Sequence, residues 1–252
     1  MPEESLRTQP YSVGYANVPK NEDNDPRPYD TLAQLRSIVS PDSAVLDVGC
    51  GTAHKTLPLA SHCGWLYGVE PSVGLLEKAR AGAQGLGNVR FWEANKDALP
   101  FADSSLDVVV SLLSPHNTAE VRRVLRPGGT FYLEKVGEQD KKDLKRMFGQ
   151  DEKGPRGYNF AKADDARRRE LVAEFRENGF DQVRSASLFF DCYYPDMEAL
   201  VYLLEHVKFT VRDFSREEDA VALNRIEAEL STPRGIRVQK HEIVVVGRKR
   251  KI

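Results

Sequence analysis

A run of apolar residues, Ala44-Val45-Leu46-Asp47-Val48, leads directly into Gly49-Cys50-Gly51-Thr52. This juncture constrains the fold more than any other part of the chain. Five residues that are almost wholly apolar read as a strand buried on both faces. Two glycines immediately after it let the backbone turn sharply and let a ligand lie against main-chain atoms. The single acid in the strand, Asp47, then stands two residues before the first glycine, at the strand's end.

The same alternation repeats downstream. Strands are expected at Trp65 to Val69, Val89 to Trp92, Leu106 to Leu112, Thr130 to Val136, Val183 to Cys192 and His241 to Gly247. Helices are expected at Tyr29 to Val39, Lys55 to His62 with Pro58 in its first turn, Val73 to Ala83, Thr118 to Leu125 and Asp164 to Asn178. Pro127-Gly128-Gly129 reads as a turn, and 137–162 as a helix start followed by a loop. Strands separated by helical crossovers imply an α/β, doubly wound, mostly parallel sheet. Before the last strand, helical patterns near Met197 to Val207 and Glu217 to Leu230 mark a helical insertion at about 193–240, far longer than a hairpin loop of about 2 to 5 residues. It is expected to cap one edge or mouth of the sheet. Residues 1–28, with Pro2, Pro10, Pro19, Pro26 and Pro28, are expected to form a loose arm, leaving 29–252 as the main domain.

Composition narrows the function classes. With 36 Lys and Arg against 38 Asp and Glu the formal charge is −2, so no global field draws in a polyanion. Any nucleic-acid contact has to be local. No apolar run approaches the roughly 18 to 20 residues of a membrane span, and MPEESLRTQP lacks the basic start and apolar stretch of a signal peptide, so a cytoplasmic protein without a membrane partner is expected. Cys50, Cys63 and Cys192 are scattered and odd in number, which predicts neither a disulfide framework nor a metal site.

Glu70 ends the second expected strand, WLYGVE, and is followed by Pro71. An acid there can accept hydrogen bonds from both hydroxyls of a ribose, at close to the 20-residue spacing from the glycine turn known in dinucleotide folds. An adenosine-containing cofactor is implied. Asp47 selects further, because a carboxylate at that place repels phosphate and suits a positively charged amino acid. His54 occupies the position of the third glycine of G-x-G-x-x-G, against a pyrophosphate site. Asn95 and Asp97, with Lys96 between them, follow the third strand, where an Asn or Asp can hydrogen-bond the exocyclic amine of adenine.

With these pieces assembled, VLDVGCGT, YGVEPS, DALPFADSSLDVVVS and EVRRVLRPGGTFYLE, the chain resembles the class I S-adenosylmethionine-dependent methyltransferases, particularly the broad group near the ubiquinone and menaquinone biosynthesis methyltransferases. The resemblance spans about 44–136. It implies a seven-stranded Rossmann-like sheet with the last strand antiparallel, and S-adenosylmethionine as cofactor. By resemblance Asp47 lies near the methionine moiety, Gly49, Cys50 and Gly51 form the turn, Glu70 and Pro71 border the ribose, and Asn95 and Lys96 border the adenine. Asn95 stands where the family more often has Asp, and Ala53 where it often has a third glycine.

Methyl transfer from a sulfonium is an in-line displacement with a good leaving group, so alignment and exclusion of water dominate and a base is optional. His116, in the loop Ser114-Pro115-His116-Asn117 at the carboxyl end of the sheet, is the candidate base; a helix-start histidine that only caps or faces water is the competing reading. Tyr11, Tyr15, Tyr158, Tyr193 and Tyr194 could form a lid, or the last two could simply pack. The expected function is methyl transfer to a small organic acceptor, by a monomer or homodimer. An RNA methyltransferase with a basic groove built from the N-terminal arm and the helix carrying Arg167-Arg168-Arg169, a nicotinamide-dependent oxidoreductase and an idle nucleotide-binding protein remain as alternatives.

Overall fold

The computed structural model describes residues 30–157, 165–208 and 210–251. The expected arm and Tyr158 lie outside them. The chain divides into two compact units, one containing Tyr29–Val136, Arg167–Ser187 and Glu242–Ile252, the other containing Gly137–Ala166 and Leu188–His241.

The first unit contains β1 (Ala44–Val48), β2 (Trp65–Val69), β3 (Val89–Trp92), β4 (Leu106–Leu112) and β5 (Leu125–Val136), with α1 (Thr31–Arg36), α2 (Val73–Gly82), α3 (Thr118–Val124) and most of α5 (Ala166–Glu177). Asp30 caps α1 by accepting the Ala33 amide at 2.9 Å. Asn117 caps α3 by accepting the amides of Ala119 and Glu120. Later in the chain come β8 (Phe180–Tyr194) and β10 (Gly235–Lys249). The sheet is eight-stranded, ordered β3-β2-β1-β4-β5-β10-β8, with the two-residue β9 (Ser231–Thr232) paired to β10 off that path. Strands β1 to β5 pair in parallel, and β10 runs antiparallel to β5. The doubly wound sheet and its antiparallel strand are therefore as expected, and the addition to the expected seven strands is β9.

Several boundaries depart from expectation. The stretch expected as a helix over Lys55 to His62 is a 3-10 helix, Leu57–His62, with Pro58 at its start. Pro-Gly-Gly does not interrupt β5, because a register shift between Leu106 and Val108 absorbs it. Strands β8 and β10 are each 15 residues long and extend beyond the segments that read as apolar.

Alternation of side chains gives the sheet two chemically different faces. Leu46, Val109 and Phe131 share one row across β1, β4 and β5, and pack with Val121, Val124, Leu171 and Phe175 in one apolar cluster. Asp47, Val110 and Tyr132 form the next row, so their side chains take the opposite face. At the β1–β4 boundary the chain order reverses, which in such sheets leaves a crevice outside the carboxyl ends of the strands.

In the second unit, α4 (Lys142–Arg146) forms at the expected helix start, and the short hairpin of β6 (Gln150–Asp151) and β7 (Gly154–Pro155) stands where a loop was expected after it. Helices α6 (Met197–His206) and α7 (Ala220–Leu230) lie within the expected insertion. Leu200, Leu203, Leu204, Ile226 and Val238 make its core.

Candidate functional site

Asp47 is buried at the end of β1, 4% exposed. Its Oδ2 accepts the Thr56 hydroxyl at 2.6 Å, while Oδ1 has no hydrogen-bond partner among the described residues. Burial pushes its carboxyl up to about 7, helped by the nearby charges of Glu70 and Glu134 and opposed by Thr56 and Lys55. A buried acid held this way gains most from a ligand that brings a positive charge to Oδ1.

The glycine turn follows. The amides of Gly49 and Cys50 both donate to the Val69 carbonyl, at 2.8 and 3.1 Å, which ties the turn to the end of β2. Gly49 has φ +70°, and a Cβ there would sit 2.6 Å from the Ser114 Cβ. Gly51 has φ +56°, and a Cβ there would meet nothing within 4 Å, so open space adjoins its main chain. Ala53, the residue in place of a third glycine, is also left-handed at φ +56°. The turn therefore keeps the glycine-like conformation without the glycine.

Glu70 closes the arrangement. Its Oε2 accepts the Gly51 amide at 3.1 Å and its Oε1 accepts the Ser72 amide at 3.0 Å. Each carboxylate oxygen has a second lone-pair site, so this acid can still accept ligand hydroxyls. Pro71 is exposed next to it. Cys50 is not activated: burial, then Asp47 and Glu70, raise its thiol pKa. Gly68 is required here because a Cβ would come within 2.8 Å of the Cys50 Sγ and closer still to Phe91.

Asn95 is exposed and its Oδ1 accepts the Asp97 amide at 2.8 Å. Lys96 pairs with Asp97 at 2.7 Å, and Asn117 donates to Asp97 at 2.9 Å, so the loop after β3 is tied to the start of α3. Lys96 and Asn117 hold the Asp97 carboxyl below its usual range. Tyr67, Trp92 and Phe101 form a ring cluster with centroids 5.3 to 5.5 Å apart, which braces the same loop. Sequence reading missed that cluster; its signal was the aromatic residue at each end of the 93–100 segment.

His116 is not brought together with Asp47. Its ring lies 5.8 Å from Phe131, on the sheet face opposite Asp47, with its side chain 5% exposed. Nε2 is 3.2 Å from Glu174 Oε1, which also accepts the Thr118 hydroxyl. Since a carboxylate only accepts, Nε2 carries the proton. Burial lowers the imidazole pKa, against the opposing effect of Glu174. These contacts match a packed loop histidine.

The remaining candidates are also engaged. Tyr194 is fully buried in the core of the second unit, and Tyr193 lies under the Arg234 guanidinium, 3.9 Å from ring centroid to carbon. Arg167 pairs with Glu170 and Arg168 donates to Ser185. No helix among the described residues is long and apolar enough to cross a membrane.

Residues 45–129 match the family described as methyltransferase domain. The chain is 31% identical over 183 residues to the malonyl-[acyl-carrier protein] O-methyltransferase of Methylococcus capsulatus, covering 68% of this chain and 63% of that protein. It is 35% identical over 106 residues to the demethylmenaquinone methyltransferase of Geobacillus kaustophilus, covering 37% of this chain and 45% of the relative. The chain thus spans less than two thirds of either relative. Among solved structures, YcgJ of Bacillus subtilis has a similar fold, with a TM-score of 0.60 at 21% identity, covering 88% of this chain and 98% of that one.

Proposed function

As residues 45–129 belong to the S-adenosylmethionine-dependent methyltransferases, we propose that this chain transfers the methyl group of S-adenosylmethionine to a small organic acceptor. The observation that carries the reading is the buried Asp47 Oδ1, unpartnered among the described residues, at the end of the strand that leads into a glycine turn with open space at Gly51. A cationic amino acid fits that carboxylate; a diphosphate does not.

In this reading Asp47 holds the ammonium side of the donor, and Gly49 and Gly51 let it approach the backbone. Glu70 receives the ribose hydroxyls while keeping the turn in place through the Gly51 amide. Asn95 and Lys96 border the adenine. The donor supplies an activated methyl carbon, so what the protein contributes is alignment and exclusion of water. His116, the expected base, is assigned a packing role instead, on the strength of its Glu174 and Phe131 contacts.

For the acceptor, the names of two relatives point to a malonyl group carried on an acyl-carrier protein and to demethylmenaquinone, which supports a small organic group as the part that receives the methyl. Against RNA as the acceptor stand the net charge of −2 and, among the described residues, the pairing of Arg167 with Glu170 and of Arg168 with Ser185. Calorimetry with S-adenosylmethionine, its demethylated product and NADH tests the cofactor. Incubation with labelled donor, a malonyl thioester, a demethylated naphthoquinone and bulk RNA tests the acceptor. NADH binding without nucleoside binding overturns the cofactor reading, and label in the RNA alone overturns the small acceptor.

A further inference from the structure

Among the described residues Glu134, at the carboxyl end of β5, is a second buried carboxylate with one oxygen unaccounted for. It is 1% exposed. Its Oε1 accepts the Thr31 hydroxyl at 2.5 Å and the Tyr132 hydroxyl at 3.1 Å, while Oε2 has no hydrogen-bond partner among the described residues. Burying an ion and satisfying half of it is costly unless something else completes the set.

Its position says what that something is. Tyr132 shares a row with Val110 and Asp47, and Glu134 is two residues farther along β5, hence on the same face and nearer the carboxyl edge. Two strand spacings, about 10 Å, separate the β1 and β5 backbones. Glu134 is near enough to raise the Asp47 pKa. One face of the sheet therefore carries two buried carboxylates, each with one oxygen lacking a partner, and two like charges that repel. A ligand with two positive centres a few ångströms apart relieves both.

We propose that Glu134 faces the sulfonium of the methyl donor, as Asp47 faces its ammonium, and so distinguishes the charged donor from its neutral thioether product. The inference rests on the cofactor reading above. Thr31 and Tyr132 act as positioning residues that fix one carboxylate oxygen and leave the other for the cation. Because the product retains the ammonium and loses the sulfonium charge, Glu134 acts on the difference between the two.

The test is titration calorimetry with S-adenosylmethionine and S-adenosylhomocysteine on the full chain. Glu134→Gln keeps the shape and an oxygen for Thr31 and Tyr132 but removes the charge. Expected is a shift of about tenfold in the ratio of the two affinities, against the donor, with the product's affinity changed less than about threefold. An unchanged ratio, or equal losses for both ligands, overturns the inference. Glu134→Asp keeps the charge and should stay within about threefold of the native ratio; a shift equal to that of the glutamine variant overturns it. Should the glutamine variant not fold, the native protein decides: donor bound clearly tighter than its neutral product supports the inference, and equal affinity for the two overturns it. Native protein that binds neither nucleoside sinks the cofactor reading itself, an outcome distinct from all of these.

Discussion

Glu70 Oε2 accepts the amide of Gly51 at 3.1 Å, so the acid that ends β2 also holds the turn that follows β1. One side chain thus links the two halves of the candidate cofactor site, and its removal should be felt in both. Glu70→Ala is expected to weaken S-adenosylmethionine binding by about 1 to 3 kcal/mol, the range for hydrogen bonds to a charged group. Calorimetry checks this; unchanged affinity removes Glu70 from the site.

Asp47 should trade stability against binding. Its folded-state carboxyl sits at about 7 against 3.8 in the unfolded chain. The contribution is present below the unfolded value and lost as pH rises through about 7, because the folded state must then carry an uncompensated buried charge. The loss amounts to as much as about 4 kcal/mol. Asp47→Asn keeps an acceptor for Thr56 and removes the charge. It should raise the thermal midpoint of ligand-free protein at pH 8 more than at pH 5, while lowering donor affinity by roughly tenfold or more. Equal midpoint changes at the two pH values would contradict the buried-charge account.

The two glycines should respond differently to alanine. At Gly49 the new methyl meets Ser114 at 2.6 Å as well as a left-handed backbone. About 3 kcal/mol of destabilisation, visible in a urea titration, is expected from overpacking and conformation together. At Gly51 there is room, so the cost in folding is about 1 to 2 kcal/mol of backbone conformation, but the methyl projects where the ligand is to lie. Gly51→Ala should therefore fold and bind the donor poorly. Normal donor binding by that variant would move the ligand away from the turn.

His116→Ala should be a stability variant. Deleting a ring packed near Phe131 leaves a cavity and takes the hydrogen-bond donor from Glu174, an expected loss of about 2 to 4 kcal/mol. The lowered imidazole pKa adds a pH signature. Stability from the neutral ring is present above 6.5 and is lost as pH falls through the lower folded value, so native and variant should converge on acidification. With an acceptor in hand, transfer at saturating donor should change less than about threefold; a loss of roughly a hundredfold would restore the base role.

Much of this was legible because it is local. The apolar run into Gly49, the acid after WLYGV and the fall of polarity along LDVVVSL are one-dimensional signals, and each became the element it suggested. Six residues around Pro58 could not say whether the turn tightens to 3-10 geometry, since that depends on how Leu59 and Ala60 reach the core. The position of His116 in a loop at the carboxyl end was readable, but which face it takes depends on Glu174, 58 residues away. Glu134 stood in plain view within TFYLE. Its kinship with Asp47 appears only when three strands are set in register.

Cys50 draws one more consequence from its surroundings. A thiol kept protonated beside two acids reacts slowly with maleimides and iodoacetamide, because only the thiolate attacks. Fluorophores can therefore be attached at introduced surface cysteines with little modification of the glycine turn, and the turn should tolerate storage in air without added reductant.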